Sequence, residues 1–345
     1  MIPRIALNVL LLPLALSALA CNKSEAATSD PKASLGAEVG KKVGFLLSTL
    51  QEERYKKDQR YFEETAIAAG LEPFTLSADN DNARQLSQVE DALSRGAKVL
   101  VIQPTDSAAA GGYVAKAHER GAKVVAYDRA IPGADFYVAH DSYRVGVLQA
   151  QQALKATGNK GAYVILAGQS GHSVATEISR GYKETLKPYI DKGDVEIVLE
   201  KTHDAWSPEQ ALKTVEDAIA KTQGNIQAIL AHNSGMARGA VQAIQAGGLG
   251  AKNIFIAGAD ADAANVNHVC EKKQSVEVLK DIKPLAQKAA HVATQLLKGE
   301  TVQAEQKLAG VPVVAVPVVL VTPENVKATL IDSGFHTADA VKSCQ

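Results

Sequence analysis

Short runs of apolar, β-branched residues alternate with longer amphipathic stretches along the chain from Val43 onward. Most of the intervening stretches carry apolar residues at a spacing of three and four, as helices do. Continuous apolar strands that are separated by amphipathic helices are typical of parallel sheets with helices on both faces. The pattern therefore predicts an α/β protein. The predicted strands are 43–49, a weaker 73–77, 99–104, 123–128, 136–141, 162–168, 196–203, 226–233, 254–260 and 275–279.

These elements fall into two series. The strand at 136–141 follows the strand at 123–128 too closely for a helix to lie between them, so it is predicted to leave the first sheet. A second series follows, then one more helix at 284–297 and a strand at 311–322 that Pro317 interrupts. This order predicts two doubly wound parallel-sheet lobes joined by a hinge of three crossings. We place the crossings near Asp141, Lys280 and Val311, and the lobes at 42–141 with 281–311 and at 142–280 with 312–345.

The first twenty residues have a different character. Arg4 precedes a nearly continuous apolar stretch at 5–16, which is too short to cross a bilayer and is typical of a secretory signal. Small residues then lead to Cys21, in a context that resembles a bacterial lipobox; the alternative is ordinary signal cleavage that leaves Cys21 unmodified. We predict a signal peptide at 1–20, lipidation of Cys21 and a flexible tether at 21–41. The protein would then be exported and held in the periplasm or cell envelope.

Composition narrows the possible partners. Formal net charge is −1, and this gives no basic excess for nucleic acid. If Cys21 carries lipid, Cys270 and Cys344 are the remaining cysteines, in an oxidising compartment where disulfides persist. Both are predicted to lie in the second lobe, where they either form a disulfide that fastens the C-terminal tail or remain separate thiols.

Polar side chains follow the predicted strands at their carboxyl ends, where open parallel sheets bind ligands. A sugar hydroxyl both donates and accepts hydrogen bonds, so carboxylates, guanidinium groups and carboxamides suit it, and aromatic rings suit its C–H faces. Taken singly, any of these residues could be structural, for example an Asp128–Arg129 ion pair or a core position for Trp206, the sole tryptophan. Together they predict a sugar site. The candidates are Arg54, Tyr55, Asp128, Arg129, Gln169, His172, Trp206, Asn233, Asp260 and Lys280.

From Val43 to about Phe335 the chain resembles type I periplasmic sugar-binding proteins, and most closely the D-xylose-binding receptors. The segments that carry the resemblance are EERYKKD, VLVIQP, AYDRAI, DSYRVG, TLKPYID, DAWSPEQALK, AHNSGMARGAVQAI, GADAD, VLKDIKPLA and VPVVLVTPENV. The resemblance implies a monomeric receptor, without cofactor or catalysis, that closes two lobes on a sugar and delivers it to an ABC permease and its ATPase. It also implies sugar contacts from Arg54, Tyr55, Asp128, Arg129, Trp206, Asn233, Asp260 and Lys280.

One side of the implied pocket departs from that family. After AYVILAG the xylose receptors usually present an acid, a carboxamide and an arginine, whereas this chain has His172, Val174 and Ser179. Arg180 stands one position away from the expected arginine, and the usual Asn-Asp is Asn233-Ser234. His172 and Gln169 could restore some of the lost hydrogen bonds. We therefore expect an aldopentose or a closely related monosaccharide, with D-xylose the best single candidate.

Two other functions fit parts of the sequence. A receptor that feeds a chemotaxis or histidine-kinase sensor would need the same sugar site, and the sequence does not separate sensing from transport. Asp128 and Asp260 could also be the carboxylate pair of a glycosidase. Many donors would flank them, however, and an apolar pocket that raises one pKa for acid catalysis is not evident in the sequence.

Overall fold

A computed structural model describes residues 40–51, 53–304 and 306–344, and Cys21 with its neighbours lies outside these ranges. The strands are β1 (Lys42–Leu47), β2 (Glu72–Ser77), β3 (Val99–Ile102), β4 (Lys123–Tyr127), β5 (Phe136–His140), β6 (Gly161–Ala167), β7 (Val195–Thr202), β8 (Ala228–Ala231), β9 (Phe255–Ala259), β10 (Val276–Leu279), β11 (Gln306–Leu308), β12 (Val311–Val316) and β13 (Val319–Val321).

Helices connect most of these strands. They are α1 (Glu53–Ala68), α2 (Asn82–Ser94), α3 (Gly111–Glu119), α4 (Ser142–Thr157), α5 (Ser173–Ile190), α6 (Pro208–Thr222), α7 (Ser234–Ala246), α8 (Ala263–Cys270) and α9 (Ile282–Lys298). Short helical turns occur at Asp204–Trp206, Gly250–Lys252, Lys327–Ile331 and Ala338–Cys344. Within the described ranges, none of the helices has the length and apolar character that a bilayer crossing requires.

The strands form two sheets, which confirms the predicted α/β class. The first sheet has the order β11-β12-β5-β4-β3-β1-β2 and the second β13-β10-β9-β8-β6-β7. Pairing is parallel except at β11–β12 and β10–β13, which are antiparallel and lie at the sheet edges. Each sheet makes one lobe.

Each sheet is covered on both faces, and its central strands are apolar at nearly every position. In β1, Phe45 packs toward α1 and α9 on one face, and Leu46 packs toward α2 and α3 on the other. In β6, Ile165 faces α4 and α5, and Leu166 faces α6 and α7. This two-sided burial explains the continuous hydrophobic runs in the sequence.

The third crossing lies later than we predicted. Val313 of β12 pairs with Tyr137 in the first sheet, whereas Val319 of β13 pairs with Leu279 in the second. The chain therefore changes lobe at Pro317 and not near Val311, so residues 312–316 belong to the first lobe. Proline has no backbone N–H to continue the ladder, which explains why the change occurs there.

Hydrogen bonds hold the three crossings together. The imidazole Nε2 of His140 lies 3.0 Å from the carbonyl oxygen of Asp281, which joins the first crossing to the second. The backbone N–H of Asp141 donates to the carbonyl of Val316, which joins the first to the third. Burial lowers the pKa of His140 to about 3, so this imidazole is neutral and donates its Nε2–H to the carbonyl.

A disulfide joins Cys270, the last residue of α8, to Cys344 near the C-terminus. Val341 packs beside Val266 of α8 in a small apolar cluster. The side chain of Asn267 donates to the Ala340 carbonyl at 2.8 Å. The C-terminal segment is thus fastened to the second lobe by one covalent bond and by packing.

We expect loss of this disulfide to destabilise the second lobe. The bond joins residues that are 74 positions apart in the sequence. By restricting the unfolded chain, a disulfide of this loop length stabilises the folded protein by about 4 kcal/mol. Urea unfolding of the wild type should shift to a lower midpoint in reductant, and the double variant Cys270→Ala/Cys344→Ala should reproduce that shift without reductant. Ser343→Ala, which removes a hydrogen bond to Glu271 and keeps the disulfide, is the matched control. Equal midpoints with and without reductant would contradict the prediction.

Candidate functional site

The two lobes contact each other at the carboxyl ends of their strands. The backbone N–H of Ala130, just after β4, donates to Ser173 Oγ at the start of α5 over 2.9 Å. The charge of Arg54 in the first lobe acts on Asp260 in the second, and the charge of Lys280 acts on Asp128. Four of the predicted candidates, Arg54, Asp128, Asp260 and Lys280, are therefore close enough to act on one another across the two lobes.

Asp128 is the central acid of the first lobe. It follows β4 in the left-handed region (φ 62°), and its backbone N–H donates to Val138 of β5. One carboxylate oxygen lies 2.8 Å from Nη2 of Arg54, and the other accepts from Nε2 of Gln103 at 3.0 Å. Burial raises the pKa of Asp128, but the charges of Arg54, Lys280 and Arg129 outweigh this and hold it well below its usual range. Asp128 is therefore ionised.

Arg54 lies between two carboxylates. Besides its contact with Asp128, its Nε lies 3.4 Å from Oδ2 of Asp58, a fully buried acid one turn further along α1. Asp58 also accepts a hydrogen bond from the Tyr127 hydroxyl. Burial raises the pKa of Asp58 to about 6, although Arg54 and Tyr127 lower it. Asp58 thus orients the guanidinium from behind.

Arg129 has different partners from those the sequence suggested. Its Nη1 donates to the Pro104 carbonyl at 2.9 Å, and its Nη2 lies 3.4 Å from the Tyr55 hydroxyl. The carboxylate next to it in sequence, Asp128, pairs with Arg54 instead. Tyr55 is buried, so the guanidinium rests on the wall of the first lobe.

Asp260 and Lys280 repeat this arrangement in the second lobe. Asp260 follows β9 with φ 106°, and its backbone N–H donates to Val278 of the neighbouring strand. Its Oδ1 lies 2.7 Å from Nζ of Lys280, whose side chain is 7% exposed. Burial raises the pKa of Asp260 despite the charges of Lys280 and Arg54. Both lobes therefore present a strand-end carboxylate that is paired with a cation.

Trp206 lies over the turn after β6. A Cβ on Gly168 would be 2.3 Å from Cζ3 of the indole, so the ring requires glycine beneath it. The indole Nε1–H donates to Nδ1 of His172 at 3.1 Å, and the rings of His172 and His232 flank it at 5.9 and 6.2 Å. Burial, followed by the charge of Arg129, lowers the pKa of His172 to about 4. The neutral imidazole thus accepts from the tryptophan with Nδ1 and carries its proton on Nε2.

Two predicted contacts are engaged with the backbone. Oε1 of Gln169 accepts from the backbone N–H of Ala205 at 3.0 Å. Oδ1 of Asn233 caps α7 by accepting from the N–H of Met236 at 2.9 Å. Arg180, the displaced arginine, forms surface ion pairs with its neighbours on α5. It therefore takes no part in this site.

Sequence reasoning missed Gln103 and Asp58. Gln103 lies at the carboxyl end of the predicted strand at 99–104, so the search for polar residues at strand ends that found its neighbours was sufficient to find it. Asp58 lies inside α1, and only the folded arrangement shows that it contacts Arg54. Among residues 40–51, 53–304 and 306–344, no cluster of three His, Cys, Asp or Glu side chains is placed to hold a metal ion.

Comparisons with known proteins agree with this architecture. Residues 43–301 match the family described as the periplasmic binding protein domain. The D-xylose-binding periplasmic protein of Escherichia coli (strain K12) is 37% identical over 302 residues, which cover 86% of this chain and 91% of that protein. The protein of the same name from Haemophilus influenzae is 35% identical over 308 residues, 87% of this chain and 92% of its own.

A solved structure is also similar. The carbohydrate transporter solute-binding protein from Chloroflexus aurantiacus, in complex with D-glucose, aligns with a TM-score of 0.77 and 31% identity, covering 86% of this chain and 97% of that one. The family match and the D-xylose-binding relatives each cover most of the chain. This chain belongs to the periplasmic binding protein family.

Proposed function

We propose that the protein captures a monosaccharide between its lobes and delivers it to an ABC permease. The observation that carries this proposal is the pairing of charges at the strand ends of both lobes, Arg54 with Asp128 and Lys280 with Asp260. Membership of this family implies export to the periplasm. There the receptor meets the sugar before the permease does.

The chemistry of these groups suits a polyhydroxylated ring. Ionised carboxylates accept from hydroxyl groups, and guanidinium and ammonium groups donate to them, as charge-assisted hydrogen bonds. Because each charge already has a partner, a sugar can join the network without leaving a buried ion uncompensated. The indole offers an apolar platform for the C–H face of the ring. A ligand that contacts both lobes would stabilise the closed arrangement.

D-xylose or a related aldopentose is the ligand that we favour. Two relatives at 35% and 37% identity are named as D-xylose-binding proteins, and the similar solved structure contains D-glucose. A glycosidase is the less favoured alternative: burial raises the pKa of Asp260, as a general acid requires, but Nζ of Lys280 occupies its Oδ1 at 2.7 Å. Release of nitrophenol from a nitrophenyl xyloside would contradict the assignment as a non-catalytic receptor.

We further propose that the exported chain is a monomer, lipidated at Cys21 and held by the tether at 21–41. The small residues before Cys21 support this. A Cys21→Ser variant should move from the membrane fraction to the soluble fraction. Retention of this variant in the membrane fraction would contradict the anchor. Sedimentation at the mass of more than one chain would contradict the monomer.

A thermal-shift panel of aldoses and polyols tests the proposed function. A bound sugar at about 100 times its Kd should add about 2.7 kcal/mol to the free energy of unfolding. We expect D-xylose or another aldopentose to give the largest shift. The absence of a shift with every sugar in the panel would reject sugar binding. Uptake of labelled sugar by cells with and without the receptor then separates transport from a role in chemotaxis or kinase signalling.

Replacing Asp128 should weaken sugar binding more than tenfold. Asp128→Asn removes the charge opposite Arg54 and an acceptor for the sugar, and the loss of a charged hydrogen-bond partner costs about 1.5–3 kcal/mol. Titration calorimetry with the best sugar from the panel measures the change. Asp79→Asn is the control, because it alters an exposed Arg–Asp pair in the same lobe. Unchanged affinity in the Asp128 variant would exclude this carboxylate from the site.

Replacing His172 should change specificity more than overall affinity. The Nε2 atom of His172 is buried without a well-formed hydrogen bond among the described residues, and the Thr105 backbone is the polar group that acts on it, so it can donate to one edge of a sugar. A site that is built to bind a hydroxyl rejects analogues that leave its polar atoms unpaired. His172→Ala should therefore reorder the sugars in the panel, and His118→Ala, at an exposed histidine, should not. An equal loss of affinity for all sugars would show that His172 does not determine specificity.

A further inference from the structure

Trp206 stands on a strained segment of backbone. Ala205 (φ 51°) and Trp206 (φ 58°) are consecutive non-glycine residues in the left-handed region. That region disfavours residues with a Cβ, and a bulky side chain there is an outlier. Such strain persists only where the surrounding structure fixes the conformation, and it is concentrated at functional sites. Some neighbouring group must therefore hold this turn in place.

The backbone of the turn is attached to the loop after β6. Oε1 of Gln169 accepts from the N–H of Ala205 at 3.0 Å, within the strained pair itself. Preceding the turn, the buried side chain of His203 bonds the Ala167 carbonyl at 2.9 Å and Thr214 Oγ1 at 3.0 Å. The strained turn is thus held at two points, before it by the His203 ring, which is 1% exposed, and at its first residue by the Gln169 amide.

The indole ring rests on the same loop. Gly168 lies directly beneath the six-membered ring, and Nδ1 of His172 accepts the indole N–H. Gly168, Gln169 and His172 therefore all contact Trp206 or its backbone turn. Gly168 and His172 hold the side chain, and Gln169 holds the backbone.

We infer that Gln169 is a positioning residue, which orients Trp206 through its amide oxygen, and that it is not a direct sugar contact as the sequence suggested. The inference rests on the proposed function only in that Trp206 meets the sugar. The orientation of the amide follows from its partner, because a backbone N–H can only donate and so requires Oε1. The oxygen is used by Ala205, and the NH2 group has no part in holding the turn.

Two substitutions separate these roles of Gln169. Gln169→Glu keeps an acceptor for the Ala205 N–H and removes the NH2 donor, whereas Gln169→Met keeps the length of the side chain and removes both. A positioning role predicts that Glu behaves as the wild type and Met does not. A direct sugar contact through the NH2 group predicts that both variants lose affinity. Gln227→Met is the matched control, because Oε1 of Gln227 accepts from the Ala162 N–H at the opposite end of the same sheet.

The sole tryptophan makes this role visible without any sugar. In the sugar-free, exported protein we expect Gln169→Met to shift the Trp206 emission to longer wavelength and to increase its quenching by acrylamide. Gln169→Glu and Gln227→Met should match the wild type in both measurements. With D-xylose as the probe, Gln169→Met should bind about tenfold more weakly, as expected for one lost hydrogen bond, while the other two variants should stay within about twofold.

Several results would overturn the inference. Wild-type emission and quenching in Gln169→Met would show that the turn holds without the amide, and a change in Gln169→Glu equal to that in Gln169→Met would show that the oxygen is not the active atom. Far-UV circular dichroism and the urea midpoint, compared with Gln227→Met, identify a general loss of fold.

If Gln169→Met unfolds, the sugar-free emission of Gln169→Glu still decides the matter: wild-type emission supports the role and altered emission rejects it. If D-xylose does not bind the wild type, that form of the proposed function fails, and the emission comparison remains decisive for Gln169.

Discussion

The ion pair between Arg54 and Asp128 is the interaction on which the rest of the site depends. A charge that is buried without a partner is costly, whereas a paired and hydrogen-bonded charge is tolerated. Asp58 lies behind the guanidinium and Gln103 beside the carboxylate, so the pair is oriented before any ligand arrives. In the proposed function, the stabilisation of the pair and the recognition of hydroxyl groups use the same atoms, so a change to either residue would affect both.

The same electrostatics link the site to the hinge. The charge of Lys280 in the second lobe acts on Asp128 in the first. The charge of Arg54 in the first lobe likewise acts on Asp260 in the second. Lys280 is the residue between β10 and the second crossing, and Asp281 after it accepts from His140 of the first crossing. A displacement at the hinge therefore moves a site cation directly. Opposite charges on the two lobes thus act on each other across the candidate site.

Most of the fold could be predicted from the sequence, because the strands are buried on both faces and read as continuous apolar runs. The exceptions have local reasons. The crossing was placed near Val311, at the start of the run 311–322, whereas the interruption at Pro317 is the point that divides this run between two sheets. The polar residues at the strand ends predicted the candidate site, but this pattern says nothing of backbone partners such as those of Gln169 and Asn233. The sequence also left open whether the two cysteines are bonded, because only the fold brings Cys270 to Cys344.

The departure at Ser234 shows how the second lobe accommodates a changed residue. Ser234 Oγ donates to Oε2 of the fully buried Glu277 at 2.9 Å, and the same oxygen accepts from the backbone N–H of Ala261, next to Asp260. Burial raises the pKa of Glu277 to about 8, although these hydrogen bonds oppose the shift. A Cβ on Gly258 would lie 2.1 Å from the Glu277 carboxyl, so the acid and the glycine depend on each other. The left-handed turn that presents Asp260 is thus supported from behind by Glu277, as Arg54 is by Asp58 in the first lobe. In both lobes a buried acid supports a group of the candidate site, and because neither acid stands at the carboxyl end of a strand, the pattern of polar strand ends could not identify it.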